Sequence, residues 1–216
     1  GLYKVYNGNL LYHGCVPLKE DGNLKSVRIF GHTYKGKGLY EVLESYVRKG
    51  FYAMDSKEKE RGKDIMWYIW LSENSPLFGK DKMATFERYF LAEKETHKEK
   101  KNPYYLLLED EKVICHILKE FGLENEDAHI INGHVPVKCK DGEKPIKCGG
   151  KVLVIDGGFS RAYQKETGIA GYTLIYNSYG LNLTAHEPFT SKADAVAKET
   201  DILSNRVAVS YMSRRQ

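Results

Sequence analysis

No apolar run in this chain is long enough to span a membrane, and no signal peptide is visible at its start. Internal repeats are absent, which sets aside solenoids and propellers. No close Cys-x-x-Cys pair occurs among the four cysteines, Cys15, Cys115, Cys139 and Cys148. Cys139 and Cys148 flank the turn Lys140-Asp141-Gly142-Glu143-Lys144-Pro145 and could face each other as a disulfide or a zinc pair. Reduced cytosolic thiols are the better reading. Charge of one sign is also missing: Lys+Arg 33 against Asp+Glu 29 leaves +4, too balanced to imply nucleic acid. A local basic patch for an anionic small molecule stays compatible with that balance.

What is present is a real core. The chain has 216 residues, 42% of them hydrophobic, enough for one large domain or two small ones. Residues 9–13 read as a strand and 26–34 as a short strand or loop. Gly36-Lys37-Gly38 precedes a helical pattern over 39–47. That Gly-Lys-Gly reads as a plain helix entry rather than a phosphate cradle. Residues 63–72 suggest a mostly buried helix, with Trp67 and Trp70 in a core or interface. Residues 74–104 mix proline, glycine, aromatics and a basic run, a solvated face of which part packs. A helix over 109–121 has Val113, Ile114, Ile117, Leu118 and Phe121 on its apolar side and stops at Gly122. Strands follow at 128–132 and 152–155. Residues 171–178 and 181–187 read as a hairpin, 191–200 as a polar helix, and 201–216 as a truncated or frayed tail. Strand, helices, strand, hairpin, helix fits an α/β sandwich of a mixed or antiparallel sheet with flanking helices.

Seven histidines are present. His97 reads as solvent-facing, His116 as a satisfied structural histidine, and His32, His129 and His186 as structural. His13 and His134 differ. Each stands at a strand end beside glycine, in Leu11-Tyr12-His13-Gly14-Cys15 and Asn132-Gly133-His134-Val135-Pro136, with proline soon after. The apolar run fixes the backbone and the glycine permits close approach. The turn Asp156-Gly157-Gly158 supplies a third polar strand end. If these strands lie side by side the imidazoles converge, and two imidazoles suit Zn, Mn, Fe or Co. They amount to half a metal site. No Gly-Asp-x-x-Asp or Gly-Asn-His-(Asp/Glu) segment supplies the carboxylates of a dinuclear hydrolytic centre. The first motif starts within ten residues of the beginning, so residues needed before it are expected to lie outside this chain.

These two motifs resemble the C-terminal half of the calcineurin-like metallophosphoesterases. Longer runs narrow the likeness: residues 6–18, 74–88 and 154–161 closely resemble the class III fructose-1,6-bisphosphatases of bacteria. The resemblance covers nearly the whole chain. It implies that residues 1–200 are the C-terminal part of a metallophosphoesterase core, with 74–104 as a family-specific insert. It implies phosphate monoester hydrolysis by two divalent metals, typically manganese, turning fructose 1,6-bisphosphate into fructose 6-phosphate in gluconeogenesis. By motif match His13 and His134 ligate the second metal. The bridging aspartate, an asparagine, the first metal's ligands and the general acid would come from a missing N-terminal part. Many relatives in the wider superfamily carry a further histidine two positions after the Gly-His motif; here Pro136 stands there.

No catalytic residue is assigned within the chain. Lys80, Lys82, Arg88, Lys138 and Arg161 are the candidates for contacting the sugar bisphosphate, each as readily solvated surface. The expected partners are that substrate and the rest of the same protein, with neither nucleic acid nor membrane. The expected setting is the cytoplasm. The isolated chain is expected to be inactive and, with sheet edge and apolar surface laid open, to self-associate as a homo-oligomer. Two rival readings are a phosphoprotein or dinucleotide phosphatase of the same superfamily, and a non-catalytic module that binds a phosphorylated ligand.

Overall fold

The computed structural model describes residues 1–169, 171–178, 180–186, 190–198 and 204–210, without the side chains of 161–163 and 204–210. The chain divides into two compact units, Gly1–Ile130 and Ile131–Gln216. Each mixes strands with helices, so the class is α/β as expected.

The first unit opens on an antiparallel hairpin of β1 (Tyr3–Tyr6) and β2 (Asn9–Tyr12). Asn7 and Gly8 turn it with φ of +48° and +74°, the left-handed pair that a two-residue hairpin loop requires. A second hairpin joins β3 (Val27–Ile29) to β4 (His32–Tyr34) through Phe30-Gly31, with φ of +44° and +90°. Phenylalanine is a poor left-handed residue. Tertiary packing holds it there, with the Tyr46 ring 4.9 Å and the Arg61 guanidinium 5.5 Å from its ring. That is why a hairpin stands where the sequence reads only as strand or loop.

Two long helices follow, α1 (Gly36–Tyr52) and α2 (Ser56–Leu71). Asp55 caps α2 by accepting the Glu58 N–H at 2.8 Å. α2 begins well before residue 63 because its first turns, Ser-Lys-Glu-Lys-Glu-Arg, carry charge rather than an apolar stripe. The two helices meet where neither has a side chain. A Cβ on Gly62 would stand 2.1 Å from the Gly50 nitrogen. Val27, Ile29, Leu39, Leu43, Ile65 and Ile69 form the core against this pair. Each such side chain contributes about 1.5–3 kcal/mol by leaving water. The expectation of a mostly buried helix, with the tryptophans in a core, fails here. Only Gly62, Ile65 and Ile69 of α2 are buried, and Trp67 and Trp70 are each 60% exposed. Helical spacing puts them on the side turned away from α1.

Beyond α2 come α3 (Thr85–Phe90) and two 3-10 turns, Lys94–His97 and Pro103–Leu106. Helix α4 (Glu111–Glu120) is capped by Asp110, buries Ile114, Ile117 and Leu118, and stops at Gly122 with φ +83°. Strand β5 (Ile130–Asn132) starts at the end of this unit, and the preceding His129 carbonyl accepts the Leu10 N–H at 2.8 Å.

Behind β2 lies a buried tyrosine cluster. The Tyr12 and Tyr104 hydroxyls share a hydrogen bond of 2.7 Å, and the Tyr40 hydroxyl donates to the Cys15 carbonyl at 2.9 Å. Burial raises all three phenols, so they are neutral hydroxyls. Tyr12→Phe or Tyr104→Phe alone strands the other hydroxyl and is expected to cost about 1–3 kcal/mol. The double change removes both polar atoms and should cost less than the sum. Urea unfolding of the double-mutant cycle checks this; strict additivity would contradict the pairing.

In the second unit β6 (Ile146–Lys147) pairs antiparallel with β7 (Val152–Val154). After β7, Ile155 donates its N–H to the Asn132 carbonyl of β5 at 2.9 Å. Helix α5 (Arg161–Thr167) leads to β8 (Gly171–Asn177) and β9 (Gly180–His186), the hairpin expected from the sequence. Short α6 (Lys192–Ala197) follows. β10 (Ser204–Ser210) pairs with β9, so this part of the expected tail is a strand; residues 211–216 lie outside the described residues. All four cysteines are free thiols, and Cys139 approaches the Tyr172 hydroxyl at 2.7 Å. No helix among the described residues is long and apolar enough to cross a membrane.

Candidate metal-ligand turns

His13 is the first residue past β2. Strand alternation sends Tyr12 into the tyrosine cluster and leaves His13 exposed. The turn beneath it is fixed by backbone. Cys15 donates its N–H to the Pro76 carbonyl at 2.9 Å, and a Cβ on Gly14 would stand 2.5 Å from that same oxygen. Only glycine lets the two strands of chain come this close. The Ser75 hydroxyl in turn accepts the N–H groups of Leu77 and Phe78 at 3.1 and 3.3 Å, holding the segment in place. Asn102 braces the far side, its Oδ1 accepting the Leu18 and Tyr104 N–H groups at 3.2 and 3.0 Å. Residues 75–77, which the sequence placed in an insert, therefore support the His13 turn. Cys15 beside it is buried. Burial pushes its thiol up to about 12, so it packs as a neutral, apolar group.

His134, in the second unit, follows β5 after Gly133. Its φ is +68°, and the Val135 N–H returns to the Gly133 carbonyl at 2.9 Å. This closes a three-residue turn around the histidine, and the positive-φ form of that turn is rare and strained. Its surroundings hold it there. Val137 donates to the Asp156 carbonyl at 2.8 Å and Ile155 to the Asn132 carbonyl at 2.9 Å, one bond on each side of the turn. Asp156 Oδ1 accepts the Gly158 N–H at 2.9 Å, which shapes the Asp-Gly-Gly segment. A Cβ on Gly157 would stand 2.6 Å from the Gly171 Cα, so β8 backs that segment closely. Backbone strain of this kind, held by its surroundings, makes His134 a candidate functional residue.

Of the other five histidines, three have side-chain hydrogen-bond contacts and His116 and His32 are exposed. His129 Nδ1 lies 3.0 Å from Asn9 Oδ1, and His186 Nε2 lies 2.7 Å from Thr173 Oγ1. His97 is half-buried, its Nε2 3.0 Å from the Leu91 carbonyl. His116 is exposed on α4 rather than tucked into the structure, because it falls opposite Ile114 and Leu118. The sequence reading counted no Asp-x-His segment and was wrong: Asp127-Ala128-His129 is one. Its spacing suits a ligand pair, yet Asp127 sits exposed in a turn and His129 is engaged with Asn9. Among the described residues no group of three or more His, Cys, Asp or Glu side chains is placed to hold a metal ion.

The cationic candidates divide. Lys80 Nζ reaches Glu99 Oε2 at 2.9 Å, and the Arg88 guanidinium reaches Glu99 Oε1 at 3.3 Å. Lys82 Nζ donates to the Thr96 carbonyl at 2.7 Å. These three tie residues 80–88 to 96–99. Lys138 is exposed, and its backbone N–H donates to Glu143 Oε2 at 3.0 Å. Arg161 opens α5, and its side chain lies outside the described residues. Burial raises the Glu99 carboxyl, but hydrogen bonds from Lys80 and the Ala84 N–H, with the charges of Lys80 and Arg88, outweigh it. The group is held below the ordinary glutamate range. A depressed folded value means that its stabilisation is full above the unfolded value and is lost as pH falls through the folded one. Glu99→Gln is expected to cost about 1.5–3 kcal/mol at neutral pH. The gap to the parent protein should close in acid, as read by thermal unfolding across pH; a pH-independent gap would contradict the ion network.

Comparison with known proteins bears on all of these residues together. The family model for the Firmicute fructose-1,6-bisphosphatase matches residues 1–216. A class 3 fructose-1,6-bisphosphatase of Clostridioides difficile (strain 630) is 59% identical over all 216 residues, which span 33% of its length. The class 3 enzyme of Clostridium botulinum (strain Loch Maree / Type A3) is 57% identical, with 32% of its length covered. That of Clostridium acetobutylicum is 56% identical, again with 32% covered. The chain thus spans about a third of the length of these relatives. No solved structure matches it.

Proposed function

Since the chain belongs to the Firmicute fructose-1,6-bisphosphatase family, we propose that it is one part of an enzyme that hydrolyses fructose 1,6-bisphosphate to fructose 6-phosphate and phosphate. The observation that carries this reading is the match of the family model to the whole chain, the two histidine turns included. The proposed chemistry is that of a metallophosphoesterase. Divalent metal, manganese for preference, supplies a nucleophile at neutral pH and offsets charge on the phosphoryl group. His13 and His134 are each proposed to give one imidazole to such a metal. His13 is exposed on a turn locked by the 75–77 backbone, and His134 is held in a strained conformation at a strand end. The remaining ligands and the general acid are proposed to lie in the two-thirds of the protein outside this chain. The cytoplasm is its proposed place, in keeping with four free cysteines.

The substrate is tested with the full-length protein and manganese. Phosphate release from fructose 1,6-bisphosphate is compared with release from a phosphoserine peptide and a dinucleoside polyphosphate. Preference for the sugar bisphosphate is expected. Preference for either alternative would move the protein to a different branch of the same chemistry.

A further inference from the structure

Helix α2 is apolar on two faces. Gly62, Ile65 and Ile69 pack on α1 and the core. Met66, Trp67, Trp70 and Leu71 recur at helical spacing on another side and are 45%, 60%, 60% and 38% exposed. The two indoles meet edge to face, centroids 5.4 Å apart, so each orders the other. A surface helix ordinarily buries one apolar stripe, and α2 carries a second beside it. A contiguous apolar stripe on a soluble surface marks a contact that is made elsewhere.

We propose that this Trp67–Trp70 stripe is an internal docking face, covered by apolar side chains from the remainder of the same polypeptide. Two observations and one general argument favour that occupant. The chain spans only 33% of the length of a relative to which it is 59% identical, so most of the polypeptide is available to cover it. A tethered segment acts at an effective concentration of about millimolar, which a second copy rarely matches. The polar residues of α2 alternate in sign, as Lys57, Glu58, Lys59, Glu60, Arg61, Lys63 and Asp64, and offer no one-sided field for a lipid surface or nucleic acid.

The test places the photocrosslinker p-benzoylphenylalanine at position 67 of the full-length protein, an aromatic residue replacing an aromatic one. Irradiation is expected to give a product of single-chain mass, in which peptide mapping joins position 67 to residues outside the present chain. A covalent dimer would assign the face to a second copy and overturn the proposal. Crosslinks confined to the present chain, or none, would show no cover from the remainder and overturn it too. Hydroxyl-radical oxidation of the unsubstituted full-length protein gives an independent reading. Met66, Trp67 and Trp70 should lose the labelling they show in the urea-unfolded protein, and full labelling in the native state would contradict the docking.

Discussion

Replacing His13 by alanine in the full-length protein is expected to lower phosphate release from fructose 1,6-bisphosphate by at least about 100-fold, because even the outer-shell partners of metal ligands cost 10–100-fold. The loss should come without unfolding. His13 is exposed, so truncating it removes little packing, and the melting temperature should stay near that of the parent. His134 needs a different probe. Its φ of +68° suits asparagine better than alanine, so His134→Asn removes the imidazole while keeping the turn. A comparable loss is expected. Manganese affinity should weaken in both variants, raising the metal concentration for half-maximal activity. His116→Ala, on the exposed side of α4, serves as the control and should leave activity unchanged.

Gly62→Val is expected to destabilise the first unit by about 3 kcal/mol, the upper end of the usual cost of overpacking. The reason is backbone against backbone. A Cβ at 62 would lie 2.1 Å from the Gly50 nitrogen and 2.3 Å from its Cα, and no rotamer relieves either contact. α1 and α2 would have to separate, and Ile65 and Ile69 would leave their seats against Leu39 and Leu43. Gly38→Ala is the matched contrast. Its Cβ would meet nothing within 4 Å, and the exchange should stabilise by about 0.5–1 kcal/mol through helix propensity alone. Denaturant unfolding of the two variants checks both signs. A neutral Gly62→Val would mean that the helices do not cross at these glycines.

Much of this was legible in the sequence because it is local. The apolar side of α4, its stop at Gly122 and the β8–β9 hairpin follow from spacing and turn chemistry. Both histidine turns could be picked out from strand, glycine and proline alone. Other features depend on partners distant in the chain. The close approach of Gly50 and Gly62 pairs residues that look like interruptions in two helical patterns. The left-handed Phe30 is held by Tyr46 and Arg61, which no local rule brings to it. Residues 75–77 read as an insert, yet their carbonyls explain why position 14 is glycine. Sequence left Trp67 and Trp70 to a core or an interface, and their exposure removes the core. The same hydrophobic pattern cannot say whether its cover lies within the stretch of chain being read.

The central claim is that this chain carries single imidazole ligands and not a whole hydrolytic centre. It is tested most directly by measuring manganese-dependent phosphate release from fructose 1,6-bisphosphate by this chain alone and by the full-length protein. Turnover by the full-length protein with none by the chain is the predicted result. Turnover by the chain alone would mean that its own residues complete a metal site, and would contradict the account.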